Sequence, residues 1–375
     1  MAKKVLAIGM YDSVHFARWL AQFQDQNIDF ILFPSSPHRR IHAKLQELLS
    51  GKGQATYSLA PLSRFYGLPF WLADKFFGNR IRGFLLKQLA FRFSPDYIHA
   101  LELQNAGYIA LQAFRRGKPK NSKLAITNYG SDIYWFQRFP KHLEKIKQLL
   151  AIADMYACEC ERDVKIAKNL GFQGQVMPVR PNAGGFSDAI LSANLKEASQ
   201  RKTIAIKGYH GWVGRAHTAI EAIRRIPNVL GDYDIVFYSC NQSTIRLARK
   251  CAKETGLRIK THAKGKLSHN QMLELFGNSA VYVGLSESDG ISTSLLEAMA
   301  MGAIPVQTAT ACCDEWFSEK TGVAVSSIDS ETVANAIERA LGLAKDGQAA
   351  KLNRQTIREK ASEDYVKQAA LTFYL

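Results

Sequence analysis

The stretch of this chain best equipped for chemistry runs from Ser286 to Val306, SESDGISTSLLEAMAMGAIPV. The apolar run Val281–Leu285 before it reads as a strand, and a glycine-containing turn leads into a hydroxyl-rich helix start. Gly302 then stops the helix before a new strand at Ile304. A helix that begins at the carboxyl end of a parallel strand leaves its first amides without intrahelical acceptors. Those amides and the helix dipole favour an anion such as a diphosphate. Gly290, Ile291, Ser292, Thr293 and Ser294 would supply them, with Gly290 permitting close backbone approach. Asp289 and Glu297 bracket this position. Carboxylates repel a phosphate, so the pair belongs to either side of it, accepting hydrogen bonds from sugar hydroxyls. Two simpler readings stand beside this one. Ser294-Leu295-Leu296-Glu297 has capping-box spacing, and Asp289-Gly290 is an ordinary turn pair.

The elements that must hold this segment alternate along the whole chain. In the first half, strands are expected at Lys4–Ile8, Phe30–Phe33, Tyr97–His99, Leu124–Thr127, Met155–Cys158 and Gln175–Pro178. Phe16, Trp19, Leu20 and Phe23 form the stripe of an amphipathic helix that Ser13 can cap. The second half gives strands at Thr203–Lys207, Ile235–Tyr238, Ile259–Thr261, Val281–Leu285, Ile304–Gln307 and Val323–Val325, with helices between them. Such alternation implies an α/β fold of two doubly wound parallel sheets, whose ligands gather at the carboxyl ends of the strands. The expected domains are 1–190 and 200–350, divided near Pro181-Asn182-Ala183-Gly184-Gly185, with a helix over 351–375 packing back toward the first domain.

The acidic pair and its surroundings resemble the retaining GT-B glycosyltransferases of family 4. Their signature places two acids with seven residues between them, the second followed by Ala-Met-Ala-x-Gly-x-Pro-Val. Asp289 and Glu297 hold the spacing and Ala298–Val306 matches the rest, although the first acid is usually Glu. Asp96-Tyr97-Ile98-His99 and Gly130-Ser131-Asp132 are similar to two further motifs of that family. The resemblance implies two Rossmann-like domains facing across a cleft and a nucleotide-diphosphate sugar as donor. It puts Asp289 on the donor sugar, Glu297 on the ribose, and the amides of Gly290–Ser294 on the diphosphate and sugar. Lys207 and Arg215 fill the place of the family's phosphate-binding cations, and Lys264 sits near the nucleotide base, unless it is only a basic surface turn. Asp132 is a third candidate for the reacting centre. Tyr11, Asp12 and His15, on the loop after the first strand, are candidates for the acceptor, as is Tyr129, which stands where many relatives carry histidine. His99 reads as a core histidine. No enzymic nucleophile is evident, and the resemblance implies that retention comes from departure and attack on one face. No metal and no further cofactor are expected, and Asp232-Tyr233-Asp234 reads as a turn.

Composition sets the outer limits. The 375 residues are 47% hydrophobic and carry a net charge of +16, which implies anionic partners. Between residues 39 and 92, ten Lys/Arg face only Glu47 and Asp74, interleaved with Phe65, Tyr66, Phe70, Trp71, Phe76, Phe77 and Phe84. That stretch reads either as an interfacial surface for an anionic membrane or as an insertion packed on the first core. No recognised motif supports nucleic-acid binding. No secretory leader or apolar run of spanning length is visible, so a cytoplasmic protein, peripheral at most on the inner membrane face, is expected. The six cysteines lack zinc-type spacing. The function expected is sugar transfer to a glycan or lipid-linked glycan in bacterial surface-polysaccharide synthesis (O-antigen, capsule or LPS). The rivals are a nucleotide-sugar epimerase or other enzyme on the same frame, and a non-enzymic basic adaptor.

Overall fold

The computed structural model describes residues 2–37, 40–51, 53–61, 63, 68–182 and 184–375. Contacts divide the chain into two compact units, Met1–Gly185 with Asp364–Leu375, and Phe186–Glu363. Each is built on one parallel sheet. The first holds β1 (Lys3–Gly9), β2 (Ile28–Pro34), β3 (Thr56–Leu59), β4 (Tyr97–Leu101), β5 (Lys123–Thr127), β6 (Met155–Ala157) and β7 (Gln175–Val176), in the order β3-β2-β1-β4-β5-β6-β7. The second holds β8 (Thr203–Lys207), β9 (Asp234–Cys240), β10 (Arg258–Ala263), β11 (Ser279–Gly284), β12 (Ile304–Thr308) and β13 (Val323–Val325), in the order β10-β9-β8-β11-β12-β13.

Helices cover both faces of each sheet, so the central strands are apolar on both sides rather than alternating. In β1, Val5 and Ala7 enter one core while Leu6 and Ile8 enter the other, and all four are fully buried. In the second unit, Ile204 and Ile206 of β8 point to one core and Ala205 to the other. The strand order turns around at β1/β4 in the first sheet and at β8/β11 in the second. Loops that leave these neighbouring strands in opposite senses open a crevice at their carboxyl ends, where ligands of open α/β sheets bind.

All twelve expected strands are present, together with an extra short edge strand, β3. The tail is not one helix from 351. Gln348–Ala361 packs into the second unit through Ile357 and Ala361, and Ser362 breaks it in an extended conformation that bridges Phe186. Only Asp364–Leu375 joins the first unit, where Phe373 and Tyr374 are buried. The Tyr374 hydroxyl meets His99 Nδ1 at 2.5 Å, and His99 Nε2 meets Thr127 Oγ1 at 2.7 Å. Burial, with Arg180 nearby, pulls the His99 imidazole down to about 3, so His99 is a neutral core histidine. The six cysteines are all buried and form no disulfide.

The basic aromatic stretch contains the helices Leu68–Phe77 and Arg80–Phe93. Arg39, Lys52, Arg64, Phe65 and Tyr66 lie outside the described residues, as do the side chains of Phe70 and Trp71. Arg82 is structural: it is buried and paired with Asp74 at 2.7 Å. Among the described residues, no helix is long and apolar enough to cross a membrane.

Candidate functional site

In the second unit, the β8 and β11 loops converge beside the helix Thr293–Ala300. That helix buries Leu295, Leu296, Ala298, Met299 and Ala300, so its sides are apolar nearly all round. Each large side chain contributes about 1.5–3 kcal/mol of burial, which makes the helix a fixed platform. It stops where the sequence demands. Gly302 has φ +72°, Gly302 N–H donates to Met299 O and Ala303 N–H to Ala298 O, the paired bonds of a Schellman ending. At the other end Ser292 occupies the cap position, and its side chain makes no capping hydrogen bond to the first turn. The amides of Thr293 and Ser294 thus begin a helix whose intrahelical acceptors start only later.

The helix begins at Thr293, so Glu297 lies in its second turn rather than at the third position. The capping-box alternative for Glu297 therefore fails. The residue is 5% exposed, and its carboxylate accepts from His269 Nε2 at 2.9 Å, its one hydrogen-bond partner among the described residues. Asp289 lies on the approach to the helix, partly buried, and its Oδ1 accepts the Gly290 N–H at 3.0 Å. The turn is anchored from the end of β12 and the short turn after it, where the Thr308 and Thr310 hydroxyls donate to Ser286 O.

Lys207 ends β8 and its Nζ reaches Ser292 Oγ at 3.4 Å, which puts a cation beside the open helix end. Below lie the buried Tyr238 and Tyr282. Burial raises the Tyr282 hydroxyl above its ordinary value, with Lys207 pulling the other way. Gly208 is required by close packing, since an added Cβ would stand 2.3 Å from Cys240 Sγ. Arg215 differs from expectation. Its guanidinium donates to Glu287 at 3.0 Å and to the carbonyls of Gly211 and Gly214 at 2.8 and 2.9 Å. With Arg215 N–H on Leu285 O and Glu287 N–H on Val213 O, it clamps the β8 loop to the β11 loop rather than presenting a fork for phosphate. Lys264 is exposed in the turn after β10, and its N–H donates to Cys240 O.

In the first unit, the candidates gather at the carboxyl ends of β1 and β5. The rings of His15 and Tyr129 lie 6.0 Å apart, and Asp132 Oδ2 accepts from Tyr129 N–H at 3.4 Å and Leu103 N–H at 3.0 Å. Asp12 is exposed, and Ser13 caps the following helix. Tyr11 is a correction: it is fully buried against Phe16, with its hydroxyl on Leu32 O, so it belongs to the core and not to an acceptor surface. Sequence reasoning missed Glu102. It is buried after β4 at φ +94°, a backbone region that side chains avoid, and accepts from Ala106 N–H at 2.6 Å and Asn105 N–H at 3.0 Å. Burial, then Asp132, pushes Glu102 up to about 7, and burial pushes Asp132 up to about 6.

Residues 4–160 match the family Glycosyl transferase 4-like, and residues 188–360 match Glycosyl transferases group 1. This chain is a GT-B glycosyltransferase. Solved structures agree with it in fold across both units. A UDP-forming α,α-trehalose-phosphate synthase from Burkholderia vietnamiensis aligns with a TM-score of 0.71 at 15% identity, over 99% of this chain and 98% of that one. A trehalose-6-phosphate protein from E. coli, bound with UDP-2-fluoro glucose, gives 0.72 at 13%, over 99% of each chain. An Anabaena protein, HepE, in complex with UDP and glucose gives 0.68 at 13%, again over 99% of each. No protein of curated function matches the chain in sequence.

Within the glycosyltransferase, the structure thus brings Lys207, Ser292, Thr293, Ser294 and Glu297 together around one helix end. Asp289 and Gly290 form the turn leading to it, followed by Ile291, which is buried in the adjoining core. The residue missed there is His269. Its only sequence signal is a position just after Ser268, in a capping box that Ser268 and Gln271 form.

Proposed function

We propose that this glycosyltransferase binds a nucleoside-diphosphate sugar at the amino end of helix Thr293–Ala300 and transfers the sugar with retention of configuration. The observation that carries the reading is a helix start that the Ser292 side chain leaves uncapped, with Lys207 at its edge and a buried carboxylate one turn in. The amides of Thr293 and Ser294 and the Lys207 ammonium would stabilise the charge that develops on the leaving diphosphate. Glu297 would accept from the ribose hydroxyls and Asp289 from the donor sugar. The glycosidic C–O bond to the diphosphate breaks as the acceptor oxygen bonds to the anomeric carbon on the same face, and the leaving phosphate oxygen takes the acceptor's proton. Uridine is the first base to try, since relatives of the same fold were solved with UDP or UDP-2-fluoro glucose.

The acceptor is proposed to be a glycan, or a glycan on a lipid, taken from a membrane surface during surface-polysaccharide assembly. The helices Leu68–Phe77 and Arg80–Phe93 favour this. Phe76 is 74% exposed and Phe84 60%, Leu72, Phe77 and Phe91 are also exposed, and Lys75, Arg80, Lys87 and Arg92 lie among them. Aromatic rings that enter an interface while cations meet anionic headgroups give this composition. Two assays test the proposal. A panel of UDP, GDP and ADP sugars, incubated with candidate acceptors, should release nucleoside diphosphate only with an acceptor, and should still do so in EDTA. Conversion of a donor without acceptor would instead indicate an epimerase. Flotation with vesicles of phosphatidylcholine and phosphatidylglycerol should capture the protein at low salt, less so after Phe76→Ser with Phe84→Ser. Absence of capture would remove the membrane part alone.

A further inference from the structure

The carboxylate of Glu297 is buried, and a buried charge that is not held by donors is costly. Among the described residues, one recorded donor meets it: His269 Nε2, on Oε1 at 2.9 Å. His269 is the first residue of helix His269–Gly277, which packs beside Thr293–Ala300. Its backbone is fixed by the capping box: Ser268 Oγ accepts from Gln271 N–H at 3.3 Å and Gln271 Oε1 from Ser268 N–H at 2.9 Å. The imidazole itself is 45% exposed while Glu297 is 7% exposed in its side chain. The ring is therefore the solvent-facing member of the pair, and the carboxylate lies behind it.

A vicinal diol binds best when both carboxylate oxygens accept at once in a fixed plane. A glutamate side chain has three torsions, and a donor on one oxygen removes much of that freedom. Oε1, with its second lone pair, can then take one hydroxyl while Oε2 takes the other. We infer that His269 is a positioning residue that orients Glu297 for the cis-diol of the donor's ribose, and so makes the enzyme select ribonucleotides over nucleotides lacking those hydroxyls. This rests on the donor site proposed above, and it adds a residue and a discrimination to it.

The test is a double-mutant cycle between His269 and the diol. The full chain is titrated calorimetrically with UDP and with 2′,3′-dideoxy-UDP, or with the GDP or ADP pair if one of those binds instead. Wild type should bind the dideoxy analogue about tenfold or more weakly, the range of a hydrogen bond to a charged acceptor. His269→Ala should lose about the same factor for UDP and less than about twofold for the analogue. His269→Gln, which keeps an N–H donor, should recover most of the UDP affinity. Ligand-free melting temperatures of both variants check that the fold is intact. Equal weakening of both nucleotides by His269→Ala, or none, would overturn the inference and leave the donor site standing. Failure of wild type to bind any of UDP, GDP and ADP would instead remove the donor site, and this inference with it.

Discussion

Replacing Glu297 by alanine separates a ligand carboxylate from a structural one. The side chain's partner, His269, is nearly half exposed, so the pair adds little to the fold, about 1 kcal/mol at most. Removing a buried charge also relieves a desolvation cost. The ligand-free melting temperature should therefore move by only a few degrees. Binding should change far more. A hydrogen bond to a charged acceptor is worth about 1.5–3 kcal/mol, or roughly 10–150-fold in Kd. With UDP at about a hundred times its Kd, wild type gains about 2.7 kcal/mol of stability. A thirtyfold weaker variant at the same concentration gains about 0.9 kcal/mol by the same relation. The nucleotide-induced rise in melting temperature should thus shrink to about a third, with calorimetry giving the matching loss in Kd. A variant that melts like wild type and keeps the full nucleotide shift would refute the ribose role. A variant that barely folds would instead show that Glu297 is structural.

Lys207→Met should slow transfer by about 10²–10³-fold with a smaller effect on donor KM, because the cation matters most as the diphosphate leaves; equal losses in both would argue against that. In the first unit, Glu102 and Asp132 have folded-state values of about 7 and 6, raised above their ordinary ones, so the folded state holds protons that the unfolded chain has released. Their contribution to stability is present at low pH and is lost as pH rises from about 4 to about 7. Glu102→Gln should flatten that decline relative to wild type in melting curves across the window, and an unchanged profile would contradict the assignment. Tyr374→Ala empties a fully buried site and strands His99, so it should cost about 3–5 kcal/mol in denaturant unfolding; a loss below about 1 kcal/mol would show that the tail is dispensable.

The sheets were legible in the sequence because central parallel strands are short apolar runs bounded by turns, and each such run proved to be a strand. The edge strand β3 was not, since Thr56–Leu59 is only partly covered and carries no apolar run. The helices at 68–93 also escaped, because their apolar residues lie on several faces and some remain exposed, which destroys the period. The proposed donor site could be read from sequence because most of its residues are consecutive, from Asp289 to Glu297. Contacts that depend on the fold were invisible: His269 on Glu297, Glu287 on Arg215, and Asp132 beside Glu102 join residues 28, 72 and 30 positions apart. Arg215 and Tyr11 show the converse. Each has a residue type suited to a ligand, yet the fold gives one a backbone clamp and the other a place in the core.

The most direct measurement is a crystal structure of the enzyme with bound UDP, or with GDP or ADP if either binds more tightly. Density for the β-phosphate should lie within hydrogen-bonding distance of the Thr293 and Ser294 amides, with the ribose hydroxyls on Glu297. A nucleotide seated elsewhere in the second unit, leaving that helix end to solvent, would contradict the assignment.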